Sequence, residues 1–157
     1  MFWRVAAIVL VIDQLTKFWA TASLPVDRSV PVVPPYFYLT LTYNTGIAFG
    51  LLEGHGWITI PLTLLVVGGL VWYHYRYQPP RRTQLLMGLL LGGALGNFVD
   101  RARLGYVVDM FDFVVWPVFN VADIAITISL LGLVAVQFFD VPTSQSPNSG
   151  AAEEKPQ

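Results

Sequence analysis

The sequence predicts a membrane protein: an all-α bundle of four transmembrane helices with a small β-sheet on the membrane surface between spans one and two. Three observations predict it. Hydrophobic residues make up 55% of the 157 residues and charged residues only 12%, about half the share usual in water-soluble domains. Four stretches, about 2–22, 57–75, 84–100 and 118–139, approach the roughly 20 residues that a helix needs to cross a bilayer core. Between the first two lies a polar, proline-rich segment, about 25–56, with one run of β-forming residues. Residues 1–140 form a single integral membrane domain, and the polar tail 141–157 is expected to be disordered.

The first span begins with Arg4, the apolar run Val5–Ile12 and "ATA" at 20–22, which together look like a secretory signal and its cleavage site. Asp13 and Lys17 interrupt that pattern, so the segment is expected to stay as a membrane helix. Acid precedes base by four residues on one helix face. A helix-stabilising ion pair and a pair turned into a bundle or site are both open readings. Pro31, Pro34 and Pro35 then exclude a helix. "YFYLTLTYN", residues 36–44, alternates Leu39, Leu41 and Tyr43 against Thr40 and Thr42, the period of a strand in a small sheet on the membrane surface. "NTGIAFG" at 44–50 follows, where Asn44 both donates and accepts hydrogen bonds and Gly46 and Gly50 allow turns.

In the third span, "LLGGALG" supplies small residues that let neighbouring helices approach. At its end Asn97, Asp100 and Arg101 share a face, and an Asp100–Arg101 pair is expected to fix the helix end, which makes Asp100 an orienting group. The fourth span carries Asn120 and Asp123 near its start, three apart on one face. Trp3, Trp19, Trp57, Trp72 and Trp116 fit an interfacial belt. The loop holding Arg76, Arg81 and Arg82, joined by Arg4, is the cytoplasmic candidate, although Lys17, Arg28, Arg101 and Arg103 nearly balance it on the other side.

Composition narrows the chemistry. Cysteine is absent and net charge is −1, so thiolate catalysis and a basic nucleic-acid surface are excluded. His55 and His74 alone argue against a histidine metal site, and no cofactor is expected. Ser23, Ser29 and Ser129 lack an accompanying histidine and acid. Asp123 has no cation near it in sequence, and an unpaired carboxylate inside a span costs several kcal/mol, which marks it as functional. Asp109 precedes it by fourteen residues, in a connection short enough to fold back and face it. Two carboxylates in one apolar site cannot both ionise easily, so the pair offers a base and an acid together. That suits activation of water and protonation of a departing amine. The alternative is a proton-coupled carrier or channel built on intramembrane carboxylates. Against it, there is no internal repeat, and the carboxylates cluster at one membrane face.

The motifs "DQLTK", "NTGIAFG", "GGALGNFVDR", "VVDMFDF" and "FNVAD" occur in that order between about residues 10 and 130. With them the chain resembles the bacterial lipoprotein signal peptidases, also called signal peptidase II. The resemblance implies a multi-pass aspartic endopeptidase of the bacterial cytoplasmic (inner) membrane, with both termini cytoplasmic and the active site and small β-sheet at the extracytoplasmic face. It implies cleavage before a cysteine that already carries diacylglycerol, so that the partners are a diacylglyceryl-modified prolipoprotein and membrane lipid, and not nucleic acid. The chain is expected to be a monomer. The resemblance places catalysis on Asp109 and Asp123, demotes Asp112, and surrounds the pair with Asp13, Lys17, Asn44, Gly46, Asn97, Asp100, Arg101 and Asn120. Of these, Asn44, Asn97 and Asn120 are expected to hold the substrate backbone.

Overall fold

The computed structural model describes residues 1–26, 28–46 and 58–139. Expectations about residues 47–57, including Gly50, His55 and Trp57, and about the tail lie outside the described residues.

Among the described residues, four helices dominate. Helix α1, Phe2–Ser23, contains neither glycine nor proline and ends at Leu24, whose N–H still reaches Ala20 O at 2.9 Å. Pro25 follows it. Its buried positions are Phe2, Ala6, Val9, Asp13, Lys17 and Ala20, a stripe with helical spacing that turns from apolar to charged along its length. The opposite face, with Ile8, Leu15 and Phe18, is exposed and apolar. This reversed amphipathicity is what lipid selects, with polar groups directed inward. Helix α2, Thr59–Tyr77, ends at left-handed Gln78 (φ 44°) before Pro79. Helix α3, Arg81–Leu104, starts directly after Pro80 and ends at Gly105, whose φ of 82° is left-handed. Helix α4 runs from Val121 to Phe139.

Among the described residues, three helices, α1, α3 and α4 over Phe2–Ser23, Arg81–Leu104 and Val121–Phe138, are long and apolar enough to cross a membrane. Helix α2 is not among them, because its last turns are aromatic and basic, from Trp72 to Tyr77. The third helix extends further at both ends than the expected 84–100. The fourth starts later than 118, since Phe119 is used for pairing: its N–H and C=O bond to Phe111 O and N at 3.0 and 2.8 Å.

Helix α3 is central and packs against the other three. Its glycines make that possible. A Cβ at Gly88 or Gly92 would lie 2.7 Å from the backbone oxygen of Phe2 or Ala6, and one at Gly93 would lie 2.6 Å from Ala122 O. The expected close helix approach is therefore real, with 88 and 92 facing α1 and 93 facing α4. Phe2, Ala6, Met87 and Leu91 form the apolar core at the other end of this contact.

The antiparallel sheet has three strands in the order β1 (Ser29–Val33), β2 (Phe37–Asn44), β3 (Val107–Asp112). The strand expected at 36–44 is the middle one. The sheet is not contained between the first two helices, however: β3 comes from the connection between α3 and α4. Pro31 sits in the edge strand, where a missing N–H is tolerated. In β2, Leu41 packs with Ala20, Val108 and Met110, while Thr42 and Asn44 line a cavity. The alternation was correct, but its polar face looks into the protein. Thr42 pairs with Asp109 and Asn44 with Val107, so β3 places its aspartate beside that polar face.

Gly92→Val should cost about 1–3 kcal/mol by overpacking against α1 and lower the thermal midpoint in detergent by several degrees. Gly68→Ala, where nothing lies within 4 Å of the new methyl, should leave it unchanged or raise it slightly. Equal effects in a melting experiment would contradict the helix contact described.

Candidate active site

Asp109 and Asp123 reach the same place by different routes. Asp109 is buried in β3, opposite Thr42. Its Oδ1 accepts from Asn120 Nδ2 at 2.6 Å and its Oδ2 from Asn44 Nδ2 at 3.0 Å. Asp123 lies in the first turn of α4. Asn120 N donates to Asp123 Oδ2 at 3.2 Å and Asp123 N donates to Asn120 Oδ1 at 3.0 Å. This is a reciprocal capping box, which satisfies helix-end donors that would otherwise be stranded in an apolar setting. Asn97 Nδ2 reaches Asp123 Oδ1 at 2.8 Å from α3. The two asparagines are linked, Asn120 Nδ2 to Asn97 Oδ1 at 3.1 Å.

Beneath them is a buried ion cluster. Lys17 Nζ donates to Asp13 Oδ2 at 2.9 Å, to Asp100 Oδ2 at 2.8 Å and to Asn97 Oδ1 at 2.9 Å. All three ammonium protons are used, which is the condition for keeping a charge out of water. Asp13 Oδ1 accepts from Ala122 N at 2.9 Å, so a side chain of α1 helps to cap α4. Asp100 accepts from Val108 N at 3.1 Å and from Gln14 Nε2 at 2.9 Å. Asp13, Lys17, Asn97, Asp100 and Asn120 are therefore brought together with the aspartate pair. Of the two open readings of the Asp13–Lys17 pair, both hold: it is an i, i+4 bridge, and it faces the bundle interior.

Two expectations are corrected. Arg101 does not pair with Asp100; its Nη2 donates to Gly46 O at 2.9 Å, because Asp100 is committed to α1 and β3 on the inner side of α3. Arg101 still lies within electrostatic range of Asp123 and Asp109, and its Nε is buried without a hydrogen-bond partner among the described residues. Nor is Asn120 free to hold a substrate backbone. Asn120 is 0% exposed, and its amide is occupied by Asn97, Asp109 and the backbone of Val108 and Asp123, whereas Asn97 reaches the cavity. Asn44, whose Oδ1 accepts from Gly46 N at 3.0 Å, does line the cavity.

Asp112 points elsewhere. Its carboxylate accepts from Thr40 Oγ1 at 2.7 Å and from Val114 N at 2.8 Å, steadying a turn in which Val114 has a positive φ of 66°. Sequence reasoning missed Gln14, which ties Asp100 to the backbone of Gly96. Its position three residues before Lys17, within "DQLTK", was the available signal.

The cavity measures about 910 Å³. Asn44, Asn97, Arg101, Asp109 and Asp123 form its polar end, and Leu62, Val66, Leu90, Ile126 and Leu130 continue it between α2, α3 and α4. It is thus apolar along the helices and acidic at one end.

A family model described as signal peptidase (SPase) II matches residues 5–139. The chain belongs to the signal peptidase II family. A lipoprotein signal peptidase of Halothermothrix orenii is 41% identical over 128 residues, covering 82% of this chain and 88% of the relative. That of Moorella thermoacetica is 44% identical over 132 residues (83% and 87%), and that of Bacillus subtilis 34% over 145 residues (89% and 94%). Two solved bacterial membrane enzymes share the fold. One has a TM-score of 0.84 at 28% identity, covering 98% of this chain and 92% of the other. The second scores 0.79 at 30% identity, with 87% and 92% covered.

Burial, and then the charge of Asp123, push the Asp109 carboxyl up from 3.8 to about 7, against the lowering effect of its Asn44 and Asn120 hydrogen bonds. The folded protein therefore keeps a proton that the unfolded chain releases between about pH 4 and 7. Asp109's contribution to stability is complete below that window and is lost as pH rises through it. Isotope-edited infrared difference spectra against Asp109→Asn should show a protonated carboxyl disappearing with a midpoint near 7. An ordinary midpoint of about 4 would show that the site is wet.

Proposed function

We propose that the protein is an aspartic endopeptidase that removes the signal peptide of diacylglyceryl-modified prolipoproteins, cutting before the lipidated cysteine with water activated between Asp109 and Asp123. The observation that carries this reading is the meeting of two carboxylates, from β3 and α4, at the polar end of an apolar cavity. Family membership supports the substrate, since the matched relatives are lipoprotein signal peptidases. The proposed setting is a bacterial inner membrane, with all four helices spanning it, both termini cytoplasmic, the sheet and aspartates extracytoplasmic, and the chain monomeric.

In the proposed cycle Asp109 holds the proton, as its raised pKa of about 7 favours, and Asp123 removes a proton from water. The hydroxide attacks the scissile carbonyl while Asp109 donates a hydrogen bond to the developing oxyanion. The pair then returns a proton to the leaving amine. Arg101 supplies positive charge at the mouth of the site, and its buried Nε offers an N–H to a substrate carbonyl. The cavity wall of Leu62, Val66, Leu90 and Leu130 suits acyl chains, and anchoring by lipid would hold the peptide near the carboxylates. Positioning of that kind supplies several kcal/mol towards the barrier.

Asp109→Asn and Asp123→Asn should each lower cleavage of a diacylglyceryl prolipoprotein by at least about 1,000-fold without unfolding. Asp112→Asn, which disturbs only the Thr40 and Val114 contacts, should keep substantial turnover. Near-normal rates for Asp123→Asn would end the aspartate-pair reading. Comparison of matched precursors with and without the diacylglyceryl group, in one detergent, tests the substrate. The unlipidated precursor should be cut very poorly, and equal rates would remove lipid from the recognition.

A further inference from the structure

Lys17 touches neither carboxylate of the proposed catalytic pair, yet a continuous line of donors leads from it to both. An ammonium can only donate. Asn97 must therefore turn its oxygen towards Lys17 Nζ, 2.9 Å away, which leaves its Nδ2 for Asp123 Oδ1 at 2.8 Å. The same Asn97 oxygen accepts from Asn120 Nδ2 at 3.1 Å. That nitrogen in turn donates to Asp109 Oδ1 at 2.6 Å, and the Asn120 oxygen faces Asp123 N at 3.0 Å. Reversing Asn97 would set an NH2 against an ammonium at one end and a carbonyl against a carboxylate at the other. Both ends oppose it.

We infer that Lys17 is a positioning residue for the reaction: it fixes the direction of the Asn97 and Asn120 amides, so that each aspartate receives a side-chain amide N–H on its Oδ1. This rests on the aspartate-pair reading and adds a function to a lysine that otherwise looks like a structural ion partner. Without Lys17, Asn97 is free to present its oxygen to Asp123. That oxygen accepts a hydrogen bond from a protonated Asp123, and a protonated Asp123 cannot take a proton from water. The charged groups around Asp123 that bear on this are Asp109 from β3, Arg101 and Asp100 from α3, and Asp13 and Lys17 from α1. Helix α2 contributes only uncharged residues, Thr59, Leu62, Thr63 and Val66, to the same cavity.

The test is Lys17→Met combined with Asp100→Asn, which removes one positive and one negative charge together. In this variant kcat should fall at least about tenfold with KM within about twofold, and the acid limb of the pH–rate profile should move upward by about one unit. A purely structural lysine would alter the melting temperature and the amount of active protein, leaving the shape of the profile unchanged. A folded double variant with wild-type kcat and profile overturns the inference. If that variant does not fold, Asn97→Asp decides. It keeps an acceptor for Lys17 but turns an acceptor towards Asp123, so a folded protein should lose about a hundredfold in kcat, and wild-type turnover would overturn the inference. Asp123→Asn, assayed in parallel, separates the two levels. If it remains active the aspartate-pair reading itself fails, whereas an inactive Asp123→Asn beside an unaffected lysine variant rejects only the role of Lys17.

Discussion

One ammonium group joins four elements of this protein. Lys17, on α1, binds Asp100 and Asn97 of α3 directly. Through the carboxylates that it neutralises it reaches the N–H of Val108 in β3 and of Ala122 in α4. Each of those groups would otherwise be an unsatisfied donor or an unpaired charge away from water, at a cost of a few kcal/mol apiece. None can leave without stranding another. The glycines at 88 and 92 serve the same constraint by a different means, because the hydrogen bonds across α1 and α3 close only if the two backbones come near. Small residues on α3 and charged residues on α1 are two halves of one contact.

The polar side of the bundle and the polar face of the sheet then meet at a single edge. Asn44 and Thr42 come from β2, Asp109 from β3, Asn97 and Arg101 from α3, and Asp123 from α4. The sheet excludes water from one side of that edge through Ala20, Leu41, Val108 and Met110. An acidic pair held in this way sits where low polarity and a neighbouring negative charge act in the same direction on Asp109. Its unusual affinity for a proton thus follows from where the strand is placed.

Much of this was legible in the sequence because lipid leaves few choices. The second and fourth spans announce themselves by apolar length, the third is shorter in apolar residues and rich in glycine, and polar residues within the spans must face one another. Asp13 and Lys17 at helical spacing already defined one face, and Asn120 and Asp123 another. What was not legible depended on contacts between distant parts of the chain. The partner of Asp100 is Lys17, eighty-three residues earlier, and nothing local distinguishes that choice from the adjacent Arg101. The third strand was hidden for a different reason. "VVDMFD" does not alternate, since Val107, Asp109 and Phe111 on one face and Val108, Met110 and Asp112 on the other are each mostly apolar, and an apolar strand of that kind looks like the approach to a membrane helix. The capping box of Asn120 and Asp123 was visible as a spacing of three, and only the observed helix start at Val121 gives that spacing its meaning.

The capping of α4 by Asp13 has a consequence for how the protein comes into being. Asp13 belongs to the first helix to be made and Ala122 to the last. The N-terminal end of α4, where Asp123 resides, is therefore completed by a residue synthesised more than one hundred positions earlier. A chain still entering the bilayer has Asp109 but not the helix end that would oppose it, and no intermediate length of chain carries both carboxylates in register. On the proposed reading, the aspartate pair is complete only once α4 has docked onto α1.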